Sequence, residues 1–207
     1  MKTIIQYREN ANNLIDIIQN LRKYAQLKPK IINFGGGFPN ADSIKQDDFI
    51  PLLQEVKSAL DKELDGKYSM FYEPGRFIVE DAGFCLCEVI KFDPSSKTVF
   101  VNVGNNLIPK FMKASLRFYN ASRSTDALRF PVDILGNVPS DQDILIKNYN
   151  FTEKVERGDI IIIANVGAYA LTWSTRFPYS KPSILILDGK KIHVYHDRTS
   201  SHDFSLT

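Results

Sequence analysis

The chain has 207 residues, with 26 Lys and Arg against 24 Asp and Glu, so its net charge is +2. Hydrophobic residues make up 43% and aromatics 12%, enough to bury a core, and so even a charge balance argues against nucleic acid or a polybasic membrane face as the main partner. No run approaches the ~20 apolar residues of a membrane span, and Arg8 and Glu9 fall where a signal peptide needs its apolar stretch, so a cytoplasmic protein is expected.

Residues 4–25 are predicted to form a helix. Leu14, Ile17, Ile18 and Leu21 recur at helical spacing, and Pro29 follows the end. Lys30–Phe34 reads as a short strand running into Gly35-Gly36-Gly37. A second helix is expected over roughly 47–64, with Phe49, Leu52, Leu53, Val56 and Leu60 on one face and Pro51 in its first turn. Tyr68–Tyr72 reads as a second strand, ending at Glu73-Pro74-Gly75-Arg76. Helix, strand, helix, strand with short loops is the grammar of a parallel α/β layer. A full eight-fold βα barrel needs about 250 residues, so this chain cannot hold one beside the β-rich half that follows.

From Phe84 the pattern becomes β. Strands are predicted at Phe84–Phe92, Thr98–Val103, Val132–Leu135, Asp159–Ala164, Ser183–Leu187 and Ile192–Tyr195. Asp93-Pro94-Ser95-Ser96 forms the first turn, and Asp188-Gly189 the last hairpin. Asn105–Ser124 is polar and reads as a loop with a short helix, and the tail after Asp197 reads as frayed. Cys85 and Cys87 alternate with apolar residues on one strand face, too close in sequence for an easy bridge, and read as buried thiols. Three His, all at or after position 193, make no metal-ligand spacing, so no metal site is expected. Asn120-Ala121-Ser122 and Asn150-Phe151-Thr152 have the form of glycosylation triplets, set aside without an export signal.

Chemistry concentrates at strand ends. Gly35, Gly36 and Gly37 directly follow a strand, where glycines let the backbone approach a ligand and turn N–H groups toward an anion. They also read as nothing more than a tight turn. Glu73 is a carboxylate beside a rigid turn, Gly75 permits close approach, and Arg76 can fork onto phosphate oxygens. The same four residues also read as a surface turn with a Glu–Arg ion pair. Gly167-Ala168-Tyr169 places a phenol beside a small-residue turn, either a phosphate donor or a packed aromatic.

In this order and spacing the signals resemble the pyridoxal-phosphate-dependent ornithine/diaminopimelate/arginine decarboxylase family, whose barrel is shared with alanine racemase. The matching segments are Gly35–Gly37, Glu73–Arg76, the Gly136–Asp143 loop against a G-P-x-C-x-S-x-D pattern, and Gly158-Asp159 followed by Gly167-Ala168-Tyr169. The resemblance runs from about residue 4 to about residue 198. It implies an α/β plus β fold: residues 1–83 as the last βα units of a (β/α) barrel, and 84–207 as a C-terminal β-sandwich or barrel-like domain, its final strand or helix returning to the barrel. It implies pyridoxal 5'-phosphate as cofactor, bound by Gly35 and the residues beside it, with Gly36, Gly37, Gly75 and Arg76 at its phosphate, helped by Tyr169. Glu73 would pair with the pyridine nitrogen, keeping the ring protonated so that it accepts the electrons left when CO₂ departs. Asp143 and Asp141 would face a substrate amino group, or else are solvated aspartates of a polar loop. The implied substrate is a small basic or diamino acid, in polyamine or lysine biosynthesis.

Two departures accompany the matches. The lysine that carries the cofactor lies, in the family, in an A-V-K-A-N-like strand upstream of the GGG loop. Here Lys30 only leads into the GGG strand, and Lys2, Lys23 and Lys28 lie in or beside the first helix. The chain therefore reads as the C-terminal part of such an enzyme, inactive alone, and paired as a homodimer or with a separate N-terminal barrel half. The second departure is at the loop cysteine, which aligns with Pro139, a residue with no proton to give. Both departures equally suit a catalytically inactive homologue acting as a binding or regulatory partner. A racemase-like use of the same site is a third reading, less suited to the β-domain motifs.

Overall fold

A computed structural model describes residues 4–38, 46–65, 67–110 and 114–199. It divides into two compact units, Met1–Gly83 and Phe84–Thr207. In the first, helix α1 (Ile4–Ala25) leads to strand β1 (Ile31–Asn33), helix α2 (Gln46–Leu64) to strand β2 (Ser69–Phe71), and a short helix α3 (Gly75–Val79) follows. The two strands pair in parallel, Ile32 opposite Met70, so β1–α2–β2 is a βαβ crossover. Tyr7, Ala11 and Ile18 of α1 form one buried cluster with Ile32 and with Leu52, Val56, Leu60 and Leu64 of α2. The α2 residues are spaced by four, which keeps them on one helical face. On α1 the buried stripe starts earlier than expected, at Tyr7 and Ala11, and this rotation leaves Ile17 54% exposed. Pro51 lies past the first turn, inside α2, and the side chain of Phe49 lies outside the described residues. Among the described residues, the buried cluster covers one face of the sheet. Ile31 and Phe71, on the other, are 65% and 51% exposed.

The second unit is a six-stranded sheet in the order β5-β8-β3-β4-β6-β7. Its strands are β3 (Phe84–Asp93), β4 (Thr98–Val101), β5 (Arg117–Asn120), β6 (Phe130–Leu135), β7 (Ile144–Phe151) and β8 (Ile160–Ala164). All pairs are antiparallel except β4 with β6. Alternate residues from every strand fill one core, with Val89, Val99, Val101, Phe118, Ile134, Phe151, Ile161 and Ile163 fully enclosed. The edge strands approach each other: the Phe118 amide of β5 donates to the Tyr149 hydroxyl of β7 at 3.0 Å, and their rings meet edge-on at 5.3 Å. The sheet thus curls toward a barrel. A short helix α4 (Ala170–Trp173) and a hairpin of β9 (Ile184–Asp188) with β10 (Lys191–His196) complete the unit.

Several elements were not legible. The polar stretch 105–124 contains β5 and a 3-10 turn at Ala121–Arg123. Strand β7 is hidden because its pairing with β6 slips register and Asn148 takes a left-handed φ of +51°, which breaks the period-two pattern. Cys85 and Cys87 are free thiols on the core side of β3, facing Ile163 and Ile161 of β8. Burial pushes both thiols up, Cys85 to about 11. Residues from 200 on, part of the expected frayed tail, lie outside the described residues. Among the described residues no helix is long and apolar enough to cross a membrane.

Candidate functional site

Parallel pairing of β1 with β2 carries their following loops to the same end of the sheet. The Phe34 amide donates to the Phe71 carbonyl at 3.0 Å, and the Glu73 amide to the Gly35 carbonyl at 2.9 Å. Gly35–Gly37 and Glu73–Arg76 are therefore side by side. Gly35 and Gly37 have φ of +64° and +84°, left-handed values that glycine adopts at little cost. Gly36 is required for a different reason: a Cβ there would lie 2.7 Å from the Glu73 carbonyl oxygen.

Asn33, the last residue of β1, ties both loops together, and nothing in the sequence reading singled it out. Its Oδ1 accepts from the Gly35 amide at 2.7 Å, and its Nδ2 donates to Glu73 Oε1 at 2.8 Å. The available signal was an Asn two residues before a glycine run, the setting of an Asx turn. From α1, the Tyr7 hydroxyl donates to the Gly36 carbonyl at 3.0 Å. Aromatic rings flank the loops in sequence and meet one another: Phe34 stacks on Tyr72 at 5.2 Å, and Phe38 lies tilted against Tyr7 at 4.7 Å. Burial, with Tyr72 nearby, pushes the Tyr7 phenol up to about 12, so it stays a donor at neutral pH.

Arg76 opens α3 and is mostly buried. Its Nη1 is paired with the carboxylate of Glu80 one turn further on; the two side chains are 11% and 1% exposed. The other Glu80 oxygen, Oε2, is buried and has no hydrogen-bond partner among the described residues. The surface-turn reading of this tetrapeptide expected Glu73 opposite Arg76. Instead Glu73 reaches back to Asn33, and Arg76 runs along the helix to Glu80.

The remaining sequence candidates belong to the second unit. Asp143 is 2% exposed. Its Oδ1 accepts from the Asn105 amide and its Oδ2 from the Val138 amide, both at 2.7 Å, so it fastens the 104–108 loop to the 136–143 loop. Gly104 and Gly136 leave room for that carboxylate, which a Cβ at either position would overlap. Pro139 and Asp141 are exposed at the tip of the same loop. Asp159, 7% exposed, accepts on Oδ2 from Asn120 Nδ2 at 2.9 Å, Arg123 Nε at 3.0 Å and the Glu156 amide at 3.1 Å. Burial by itself would raise this carboxyl, but those hydrogen bonds outweigh it and hold it below the usual carboxylate range. Tyr169 is 44% exposed, with a left-handed φ of +68°, and caps the start of α4. That backbone state is uncommon for a bulky residue.

Residues 31–167 match the family model described as the C-terminal sheet domain of pyridoxal-dependent decarboxylases. The diaminopimelate decarboxylase of Methanothermobacter thermautotrophicus is 28% identical over 205 residues, covering 93% of this chain and 47% of that protein. A crystal structure of the diaminopimelate decarboxylase from M. jannaschii in co-complex with L-lysine superposes with a TM-score of 0.75 at 22% identity, over 95% of this chain and 46% of that one. A structure of SrLDC in complex with PLP and cadaverine gives a TM-score of 0.66 at 18% identity, over 88% and 48%. The chain thus spans about half the length of the curated relatives it matches, and its fold is the last part of a (β/α) barrel followed by a barrel-like β-domain.

Proposed function

This chain belongs to the pyridoxal-dependent decarboxylase family, and on that premise we propose that it supplies the C-terminal half of an amino-acid decarboxylase working in the cytoplasm. The substrate class is a diamino acid, in keeping with the diaminopimelate decarboxylases among the relatives. The observation that carries the reading is the pair of loops locked together at the ends of β1 and β2. They bring a three-glycine backbone, a carboxylate and a guanidinium into one small unit.

The donor set suits pyridoxal phosphate. Gly36 lets the first loop close against the Glu73 carbonyl, and Phe34 and Tyr72, which lead into the two loops, stack on each other. The backbone at Gly36 and Gly37, with Arg76, would hold the phosphate, while Gly35 and Gly75 shape the turns, their amides donating to Asn33 Oδ1 and to the Glu73 carbonyl. Glu73 would sit at the pyridine nitrogen, its carboxylate aimed by Asn33. When bound, the cofactor supplies an electron sink for the pair left as the α-carboxylate leaves as CO₂. Asp143 acts as a positioning residue, since its oxygens are already committed to two backbone amides. Asp141, at the exposed loop tip, would meet a substrate amino group. The cofactor-bearing lysine would come from sequence equivalent to the half of the relatives that this chain does not span. That half would also cover the bare face of Ile31 and Phe71, and the assembled enzyme would be a dimer.

Titration with pyridoxal phosphate tests the cofactor site. The wild-type chain should bind, and Arg76→Ala should bind more weakly. Equal affinity would remove the phosphate assignment. Adding a matching N-terminal barrel half should then give CO₂ release from a diamino acid. Pro139 in the place of the family's loop cysteine favours a second reading, a catalytically silent partner; under it no combination of halves releases CO₂, while the chain still co-purifies with a full-length relative.

A further inference from the structure

We infer that Glu80 is an affinity-setting residue: its buried carboxylate competes with a ligand phosphate for Arg76, so the chain holds phosphate-bearing ligands loosely. The inference rests on the reading of Arg76 as a phosphate contact. Three observations support it. The Arg76–Glu80 pair is deep, with side chains 11% and 1% exposed. It runs along α3, from the residue after Gly75 to the helix C-cap, so Nη1 of the guanidinium is already engaged by an anion of the chain itself. The second Glu80 oxygen has no hydrogen-bond partner among the described residues.

A buried carboxylate with half its acceptor capacity unmet depends on the cation it does have. A phosphate that took Arg76 would strand that carboxylate out of water. A phosphate that shared Arg76 would bring its own charge up to another anion around a single cation. Either arrangement costs binding free energy that a neutral residue at position 80 would not demand. Glu80 stands at the C-terminal end of α3, whereas the glycine and Glu73 turns precede its start, so the penalty falls on the phosphate end of the ligand and spares the ring.

The test uses the full chain and three probes: pyridoxal phosphate, inorganic phosphate and unphosphorylated pyridoxal. Glu80→Gln keeps the shape and removes the charge, and should tighten pyridoxal phosphate and inorganic phosphate by about tenfold while leaving pyridoxal unchanged. In an Arg76→Ala background the same substitution should gain nothing. Glu80→Asp keeps the charge and the fold but withdraws the carboxylate by one methylene, and should move affinity the same way by less. Circular dichroism confirms folding of each variant. Unchanged or weaker phosphate binding in folded Glu80→Gln, with Arg76→Ala still impaired, overturns the competition alone. Arg76→Ala binding as well as wild type overturns the phosphate site itself, and the competition with it.

Discussion

Replacing Asp143 by Ala should destabilise the β-domain far more than replacing Asp141, although the two stand one residue apart on the same loop. Asp143 accepts two charge-assisted hydrogen bonds from backbone amides at 2.7 Å while 2% exposed. Hydrogen bonds to a charged group contribute about 1.5–3 kcal/mol each, and a stranded buried donor costs about 1–3 kcal/mol. Two such bonds set a ceiling of about 6 kcal/mol; water entering the gap beside Gly104 and Gly136 would recover roughly half, leaving about 3 kcal/mol. For a unit the size of Phe84–Thr207, unfolding entropy is about 0.26 kcal/mol per kelvin, so the melting temperature should fall by about 12 °C. Asp141 is exposed, so its removal should shift melting by no more than about 2 °C. Calorimetry of both variants beside wild type measures this. If Asp143→Ala melts within about 3 °C of Asp141→Ala, the carboxylate does not fasten the loops and its assignment as a positioning residue is wrong.

Other outcomes follow from the same geometry. The Asp159 carboxyl is held below its unfolded value of about 3.9 by Asn120, Arg123 and the Glu156 amide. Its stabilisation is therefore complete above about pH 4 and is lost as pH falls through the depressed folded value. Denaturant melts of wild type and Asp159→Asn should differ most at pH 7 and converge toward pH 2, and a constant gap would count against this. Gly36→Ala must drive a methyl into the Glu73 carbonyl, 2.7 Å away, and should cost about 1–3 kcal/mol while weakening pyridoxal phosphate binding; an unperturbed melt and titration would contradict the close approach. Cys87, buried and with its thiol pushed up by burial, should react with a thiol reagent at pH 8 only at the rate at which the chain opens, while the half-buried Cys85 reacts sooner, as time-resolved labelling with and without denaturant would show.

The sequence displayed the parts of this molecule that follow a period. The two long helices of the first unit, α1 and α2, lie within a residue of their expected ends, because an apolar face repeating over five turns leaves few alternatives. The strands are legible where alternation is unbroken, as in β3 and β8. They are not legible where a left-handed Asn148 resets the register or where β5 is only four residues long. Asn120 shows how a local pattern misleads: the triplet Asn120-Ala121-Ser122 has the form of a glycan acceptor. In the structure Asn120 is 2% exposed, accepts from the Ser122 amide at 3.1 Å and donates to Asp159. It is a cap and a core hydrogen bond at once.

The site divides along the same line. A motif records which residues occur together but leaves open which of them would touch a ligand and which hold the others still. Gly35–Gly37 and Glu73–Arg76 were visible because they are consecutive, yet the contacts that shape them come from residues distant in sequence. Asn33 aims Glu73 from 40 positions away, and Tyr7 holds the Gly36 carbonyl from 29 away. Glu80 was invisible for the opposite reason. It lies four residues past Arg76, the spacing of an ordinary surface ion pair, and only its burial and its unmatched oxygen distinguish it. Such a pair on a solvated helix would be nearly free to break. Buried, it cannot release Arg76 to a phosphate without cost, so the same two letters in the sequence carry opposite consequences for binding.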